Sequence, residues 1–457
     1  MVAFIKTTLH KMKKIIFVLN VCILIASCSS KNNSTDLNPN IVLIMADDLG
    51  YGDLSCYGNT TIKTPNLDLL AENGIKFTDF HSNGAVCSPT RAALMTGRYQ
   101  QRTGVGGVIT AKSHRDVGLS LSETTIAEEF KKYGYNCGIF GKWHLGYSKE
   151  FNPTLQGFDE FTGFVSGNID YHAHIDQEGY LDWWKADEIK NEEGYLTDLL
   201  TAYGVKYIKE NDPKETGKPF FLYLPHGAPH APYQRRIDKV LREVGKAGTE
   251  AVNKDSISSI YKEMVEVMDE GVGRIIQMLK ETGQYENTII LFISDNGANG
   301  YGDNGKLRGY KGGVYEGGSR VPAIFSYPHL IKKGRVNKQI VLTMDWLPTL
   351  LDFIGQKPGD ANLDGISIKE NIIHQSSLPQ RDVFFAFKRN SFVRQGEWKL
   401  VIKENNNNNT VELYNLSNDL QENNDVSSIH PELVDELMGK LEIWETDVNM
   451  GVKVVSN

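Results

Sequence analysis

Two apolar runs in this sequence end in clustered side-chain oxygens. Ile41-Val42-Leu43-Ile44-Met45-Ala46 leads into Asp47-Asp48-Leu49-Gly50, and Thr288-Ile289-Ile290-Leu291-Phe292-Ile293-Ser294 leads into Asp295-Asn296-Gly297. Four oxygen ligands with no thiolate or imidazole in either run suit a hard cation rather than zinc. Ca2+ fits better than Mg2+, because side chains supply most of the ligands and nothing suggests a cage of waters. Taken one at a time, Asp-Asp before glycine is a turn and Ser-Asp-Asn-Gly a helix cap or tight turn. The cation site exists only if the fold joins the two ends. A third run, Cys87-Ser88-Pro89-Thr90-Arg91 followed at once by Ala92-Ala93-Leu94-Met95-Thr96-Gly97-Arg98, sets a cysteine close to an arginine. Its plain reading is a small buried apolar residue and its chemical reading a catalytic one; the rest of the chain has to decide.

The elements that would position these groups are visible as changes of period. Ile41 to Ala46, Phe220 to Leu224 and Thr288 to Ile293 are short and continuously apolar, as strands buried on both faces are. Helical patterns cover 123–133, 195–211 and 256–282. Strand, loop and helix in repetition predict a mostly parallel sheet covered by helices, an α/β fold. Polar groups at the carboxyl ends of such strands converge in one crevice, which places Asp47, Asp48, Asp295, Asn296 and His230 on the same edge. Beyond Ile354 the pattern becomes short strands at 383–387, 391–394, 398–402 and 411–415, with turns at 395–397 and 405–409 and a helix over 431–446. Short links between consecutive strands predict an antiparallel sheet, so the body divides into an α/β domain over 40–370 and a C-terminal α+β subdomain over 371–457.

Composition limits the partners. The chain has 457 residues, 40% hydrophobic and 23% charged, enough for one large domain and a smaller one. Its formal charge is −8, and the first 27 residues hold four lysines and no acid, so their removal takes it to −12. Nucleic acid is therefore not an expected partner, and an anionic substrate would need a local cluster of basic side chains. Lys13-Lys14 and the apolar run from Ile15 to Ala26 read as an export signal over 1–27, too short to span a bilayer as a mature helix. Of five cysteines, Cys22 and Cys28 fall in or beside this leader. Cys56, Cys87 and Cys137 remain, which imply no disulfide framework and leave a Cys56–Cys137 pairing open.

The run from Cys87 to Arg91 resembles the signature of the type I, formylglycine-dependent sulfatases. The resemblance covers about Asn40 to about Ile354, with the motifs in the family's order. It implies an alkaline-phosphatase-like sandwich and oxidation of Cys87 to formylglycine by a maturation enzyme. Asp47, Asp48, Asp295 and Asn296 match the family's calcium ligands, with modified Cys87 beside them. Gly141-Lys142-Trp143-His144-Leu145-Gly146 looks like the second signature, whose lysine and histidine face the aldehyde hydrate. Ala228-Pro229-His230 is similar to the segment carrying the sulfate-binding histidine, and Lys311 matches the last sulfate-contacting lysine. Arg91, Lys142, His144, His230 and Lys311 thus form the basic cluster that an acidic protein needs. In this reading His144 is the base, and His230 or Lys311 protonates the leaving alcohol. The segment from Phe164 to His174 borders the pocket by analogy, so Ser166, His172 and, from the loop before Lys311, Arg308 are expected to meet a sugar; for His172 the plain alternative is a surface loop. The activity implied is hydrolysis of sulfate esters on a carbohydrate, a sulfated polysaccharide or its oligosaccharides. The competing readings are a phosphonate or phosphate monoester hydrolase of the same superfold and a non-catalytic glycan-binding lipoprotein.

Small residues before Cys28 resemble a bacterial lipobox, which implies lipidation of that cysteine, a tether over 28–39 and an exported, membrane-anchored protein on the periplasmic or outer-membrane face; ordinary signal cleavage nearby is the alternative. Cys28→Ala should move the protein from the membrane to the soluble fraction of its native host, read by immunoblot of the fractions. Unchanged membrane association would rule the lipid anchor out.

Overall fold

The computed structural model describes residues 38–359, 362–404, 409–452 and 455. The expected signal over 1–27, Cys28, most of the tether and Asn405 to Asn408 lie outside them. Pro39–Asn457 makes one compact unit, and no helix among the described residues is long and apolar enough to cross a membrane.

A ten-stranded sheet forms its centre. Five neighbouring strands, Thr288–Ser294, Asn40–Ala46, Phe220–Pro225, Asn136–Lys142 and Glu160–Phe164, all run parallel. The alternation of side chains along a strand explains why these runs are apolar throughout. Ile41, Leu43 and Met45 enter one core with the helices Cys87–Thr96, Ile126–Lys132 and Trp346–Phe353, while Val42, Ile44 and Ala46 enter a second with Pro65–Glu72, Leu196–Glu210 and Lys254–Glu281. Each fully buried aliphatic side chain contributes about 1.5–3 kcal/mol, and both faces are covered, so the sheet is the middle layer of a sandwich. The sandwich is the alkaline-phosphatase-like fold that the resemblance implied.

Local chemistry sets the helix ends. Helical periodicity begins at Glu123, yet the helix starts at Ile126, because Thr125 accepts from Glu128 N at 3.2 Å while the Glu128 carboxylate accepts from Thr125 N at 2.7 Å. Asn253 caps the long helix Lys254–Glu281 in the same spirit.

The C-terminal sheet pairs Asp382–Phe387, Asn390–Gln395, Trp398–Glu404 and Asn409–Asn415 antiparallel in chain order, and the helix Pro431–Val448 packs Leu437, Leu441 and Trp444 against it. Asn409, read from sequence as turn, instead opens the last strand and pairs with Glu404. This sheet shares a core with Ala85, Val86 and Ala93 around the start of the Cys87 helix. A buried charge cluster reinforces the joint. Lys399 Nζ lies 2.9 Å from Glu316 and 2.8 Å from Glu422, and Arg394 forms a two-pronged pair with Asp79. Cys56 and Cys137 are free thiols, which closes the question of their pairing.

Lys399 is fully buried between two carboxylates. Lys399→Met should therefore leave two facing buried anions and cost about 3–5 kcal/mol of stability. Denaturant titration reads this as a lowered midpoint; an unchanged midpoint would show that the cluster contributes nothing net.

Candidate active site

The carboxyl ends of the parallel strands bring the distant runs together. Asp47 and Asp48 follow the strand Asn40–Ala46, Asp295 and Asn296 follow Thr288–Ser294, and Lys142 is the last residue of Asn136–Lys142. His230 follows Phe220–Pro225 after a short loop, where the Tyr171 hydroxyl holds it by donating to Gly227 O at 2.7 Å and His230 O at 2.9 Å. Cys87 is the first residue of its helix, and Arg91, four positions on, lies one turn below it on the same face.

Three acid–base pairs knit this edge. Lys142 Nζ lies 2.6 Å from Asp47, Arg91 Nη2 2.8 Å from Asp295, and Lys311 Nζ 2.6 Å from Asp48. Arg91 also donates to Lys142 O at 3.0 Å, which couples the Cys87 helix to the neighbouring strand end. The Cys87 sulfur sits 3.5 Å from Asp47 Oδ1 and 3.5 Å from Lys311 Nζ. Asp48 holds a left-handed backbone (φ 65), a conformation non-glycine residues adopt rarely and mostly where a site requires it. Its carboxylate also receives Asn296 Nδ2 at 2.8 Å and Asn299 Nδ2 at 3.2 Å.

The donor set fits a hard cation. One ligand atom from each of Asp47, Asp48, Cys87 and His230 lies within 4.8 Å of the others, and Asp295 Oδ1 is 3.2 Å from Asp48 N. Asn296 spends its amide hydrogens on Asp48 and Gly297 O, and its Oδ1 is buried with no partner among the described residues. Burial pushes the Asp47 carboxyl up to about 7 against the pull of Lys142, with Asp295 and Asp48 adding to the rise. A divalent cation among these oxygens would satisfy the orphan and relieve the crowding. Asp48 behaves differently: burial alone would raise it, but Lys311 and His230 hold it below the usual carboxylate range.

Each reactive group is tuned by its place. Burial pushes the Cys87 thiol up to about 12 in spite of Lys142 and Lys311, so an unmodified Cys87 is a thiol at neutral pH and a poor nucleophile. His144 also has positive φ, 56, and its Nε2 lies 2.9 Å from Ile109 O. A carbonyl only accepts, so the proton sits on Nε2 and Nδ1 keeps its lone pair, buried and without a protein partner. Burial, with Lys142 and Arg91 nearby, holds the ring well below its ordinary pKa and therefore neutral. The result is a neutral ring whose Nδ1 lone pair has no partner among the described residues.

A cavity of about 640 Å³ opens above these groups, with Cys87, His144, His230 and Lys311 in its floor and wall. Ser166 lines it as expected. His172 and Arg308 are not among its lining residues and make their contacts elsewhere. The Asp170 carboxylate accepts His172 N and Ala173 N and draws this turn against the segment 234–242, where the His172 ring bonds Arg235 O at 2.9 Å and packs on Tyr195. Arg308 turns to the C-terminal sheet, stacking 3.8 Å from the Tyr315 ring centre and donating to Tyr414 and Glu422 O. The opposite wall, Thr110 to His114, had no motif to mark it, although its run of polar residues after the Cys87 helix was a usable signal.

A second acidic group, Asp79, His81 and Glu316, lies apart from this site. Arg320, Arg394 and Lys399 already neutralise it, so it offers no place for a further cation. The cavity beside it, about 540 Å³, is lined by arginines already paired with acids.

Comparison with known proteins agrees with this geometry. The family model described as Sulfatase matches residues 39–356, and the one for the C-terminal part of N-sulphoglucosamine sulphohydrolase matches 310–446. Mouse (Mus musculus) N-acetylgalactosamine-6-sulfatase is 34% identical over 374 residues, 76% of this chain and 68% of its own. Human (Homo sapiens) arylsulfatase A is 33% identical over 381 residues, 76% of this chain and 70% of its own. The solved structure of Ps i-CgsB in complex with k-i-k-neocarrahexaose is similar with a TM-score of 0.80 at 30% identity, covering 91% of this chain and 94% of that one. With these paired acidic and basic side chains gathered at the strand ends, the chain belongs to the sulfatase family and is a sulfuric ester hydrolase.

Proposed function

We propose that this protein removes sulfate from a sulfated carbohydrate, using formylglycine at position 87 and a calcium ion, and works outside the cytoplasm as a lipid-anchored protein. The observation that carries the reading is Cys87 itself: a buried thiol of raised pKa, held between Asp47 and Lys311 in a cavity that His144 also lines. As an aldehyde hydrate this position would supply two hydroxyls on one carbon, one to attack sulfur and one whose deprotonation lets sulfate leave. Calcium held by Asp47, Asp48, Asp295 and Asn296 would favour ionisation of the attacking hydroxyl and offset charge on the sulfate oxygens.

The protein's own groups divide the remaining work. Lys142 and Lys311 bring positive charge to the sulfate end, while Arg91 fixes Asp295 and the Lys142 carbonyl relative to the nucleophile helix. His144 Nδ1 takes the proton whose loss releases sulfate. His230 and Lys311, both in the cavity wall, are the proton carriers available to the departing alcohol. Beyond them the cavity is polar and roomy, which suits a sugar. The relatives are consistent with that choice, one being named for N-acetylgalactosamine 6-sulfate and another having been solved with a carrageenan oligosaccharide. The phosphohydrolase reading is weaker. A phosphate monoester carries up to about one more negative charge near neutral pH, and the described residues offer no second uncompensated acidic cluster for the second metal of a two-metal clamp.

Protein coexpressed with a formylglycine-generating enzyme should release free sulfate from N-acetylgalactosamine 6-sulfate or a sulfated carrahexaose, with an aldehyde replacing the Cys87 thiol by peptide mass. Full activity with an unmodified thiol, or faster cleavage of the matched phosphate ester, would sink the proposal. Asp295→Ala should lower kcat/KM by at least about 100-fold, as should chelation that calcium then reverses. Wild-type turnover in either case would reduce the acidic edge to a structural role.

A further inference from the structure

The sugar-facing wall of the cavity contains a side chain held in an unusual way. Asn168 lines the cavity beside Ser166 and Gly167. Its carboxamide oxygen receives Arg242 Nη2, and its main-chain oxygen receives Arg242 Nη1 at 3.2 Å and Ser166 Oγ at 3.1 Å. Arg242 comes from a segment 74 positions away, and only 5% of it is exposed. Its other donors go to Ile175 O at 3.1 Å and Thr249 Oγ1 at 2.9 Å, so the guanidinium serves neutral oxygens of this wall in place of a paired carboxylate.

An arginine donates and never accepts, so the amide atom it grips must be Oδ1. The Asn168 Nδ2 group is thereby left over, with two N–H donors and no protein partner among the described residues. The wall is also in fixed register with the reaction centre. A Cβ at Gly167 would stand 3.0 Å from the His144 ring, so the turn before Asn168 runs close enough to the ring that only glycine leaves it room. The Asp182 carboxylate anchors the same turn by accepting Val165 N at 3.2 Å and Ser166 N at 2.8 Å.

We infer that Asn168 is a specificity-determining residue whose Nδ2 donates to an oxygen of the sugar that carries the scissile sulfate, and that Arg242 is its positioning residue. The inference rests on the carbohydrate sulfatase reading and adds the group that reads the sugar. Its partner is a hydrogen-bond-accepting oxygen, a hydroxyl or a neighbouring ester oxygen on the ring. 4-Nitrophenyl sulfate has no hydroxyl or second ester oxygen on the ring positions beside its sulfate, its nitro group standing at the far end of the ring, and gains nothing from the contact.

The test compares N-acetylgalactosamine 6-sulfate and a sulfated carrahexaose with 4-nitrophenyl sulfate, using matured full-length enzyme. Asn168→Asp keeps the size and the Arg242 contact but removes the N–H donors. It and Asn168→Ala should lower kcat/KM on the carbohydrate that wild type cleaves by about 10- to 100-fold, and stay within about twofold on the aryl sulfate. Arg242→Lys should follow the same split, and adding it to Asn168→Ala should cause no further loss on the carbohydrate, since the two act as a unit. Equal losses on both substrate types, or none on the carbohydrate, would overturn the assignment while leaving the sulfatase reading intact. Should Arg242→Lys fail to fold, the Asn168→Asp comparison decides alone. A wild-type enzyme that cleaves the aryl sulfate and neither carbohydrate would instead overturn the carbohydrate reading, and this inference with it.

Discussion

Charge buried at the carboxyl edge of the sheet is the constraint on which the rest of the molecule depends. Asp47, Asp48 and Asp295 are almost wholly shielded from solvent, and so are Arg91 and Lys142. An isolated charge in such a place costs several kcal/mol, and breaking one member of a buried pair is worse than never having had the pair. The pairs Asp47–Lys142, Asp295–Arg91 and Asp48–Lys311 are therefore tolerable only while three strand ends, one helix start and the loop bearing Lys311 stay in register. That requirement accounts for strands buried on both faces. Two full helix layers fix the strand ends far more firmly than a half-exposed sheet could.

The small C-terminal sheet extends the same logic. The chain from Arg308 to Arg320 carries Lys311 into the site and is pinned at both ends to the C-terminal part, Arg308 by Tyr414 and Glu422 O, Glu316 by Lys399. Glu316 N also donates to the Glu422 carboxylate at 2.7 Å. A cation needed at the reacting end of the cavity is thus held in place from a sheet that contributes no reactive group of its own. Arg308, which sequence position suggested for substrate contact, serves this joint instead.

Much of this was legible in the sequence because it depends on local pattern. Continuous apolar runs marked the parallel strands, and the polar residues just after them marked the crevice, since strand direction fixes which end they occupy. The residues from Cys87 to Arg91, Lys142, His144, His230 and Lys311 carry enough chemical identity to be singled out. What stayed hidden depends on long-range direction. His172 and Asn168 sit four positions apart in one polar run, and nothing local says that the Asp170 carboxylate folds the former away while Arg242, 74 positions from Asn168, holds the latter at the cavity. Asn299 beside Asp48 and Tyr171 beneath His230 were missed for the same reason: each acts through a contact that only the packed fold creates.

Cys87 is only 3% exposed and opens a helix of which every residue is buried. On the function proposed for it, a maturation enzyme has to bring its own active site up to this sulfur, which in the finished fold lies in the floor of a cavity of about 640 Å³, room for a sugar and not for another protein's active site. Conversion therefore has to happen while the segment is still unfolded, which turns maturation into a race against folding. On that proposal, a molecule that folds first would keep sulfur where the chemistry calls for an aldehyde hydrate. In a preparation from one cell the fraction of competent enzyme would then record the relative speed of two processes during synthesis, and no later treatment of the folded protein would raise it short of unfolding.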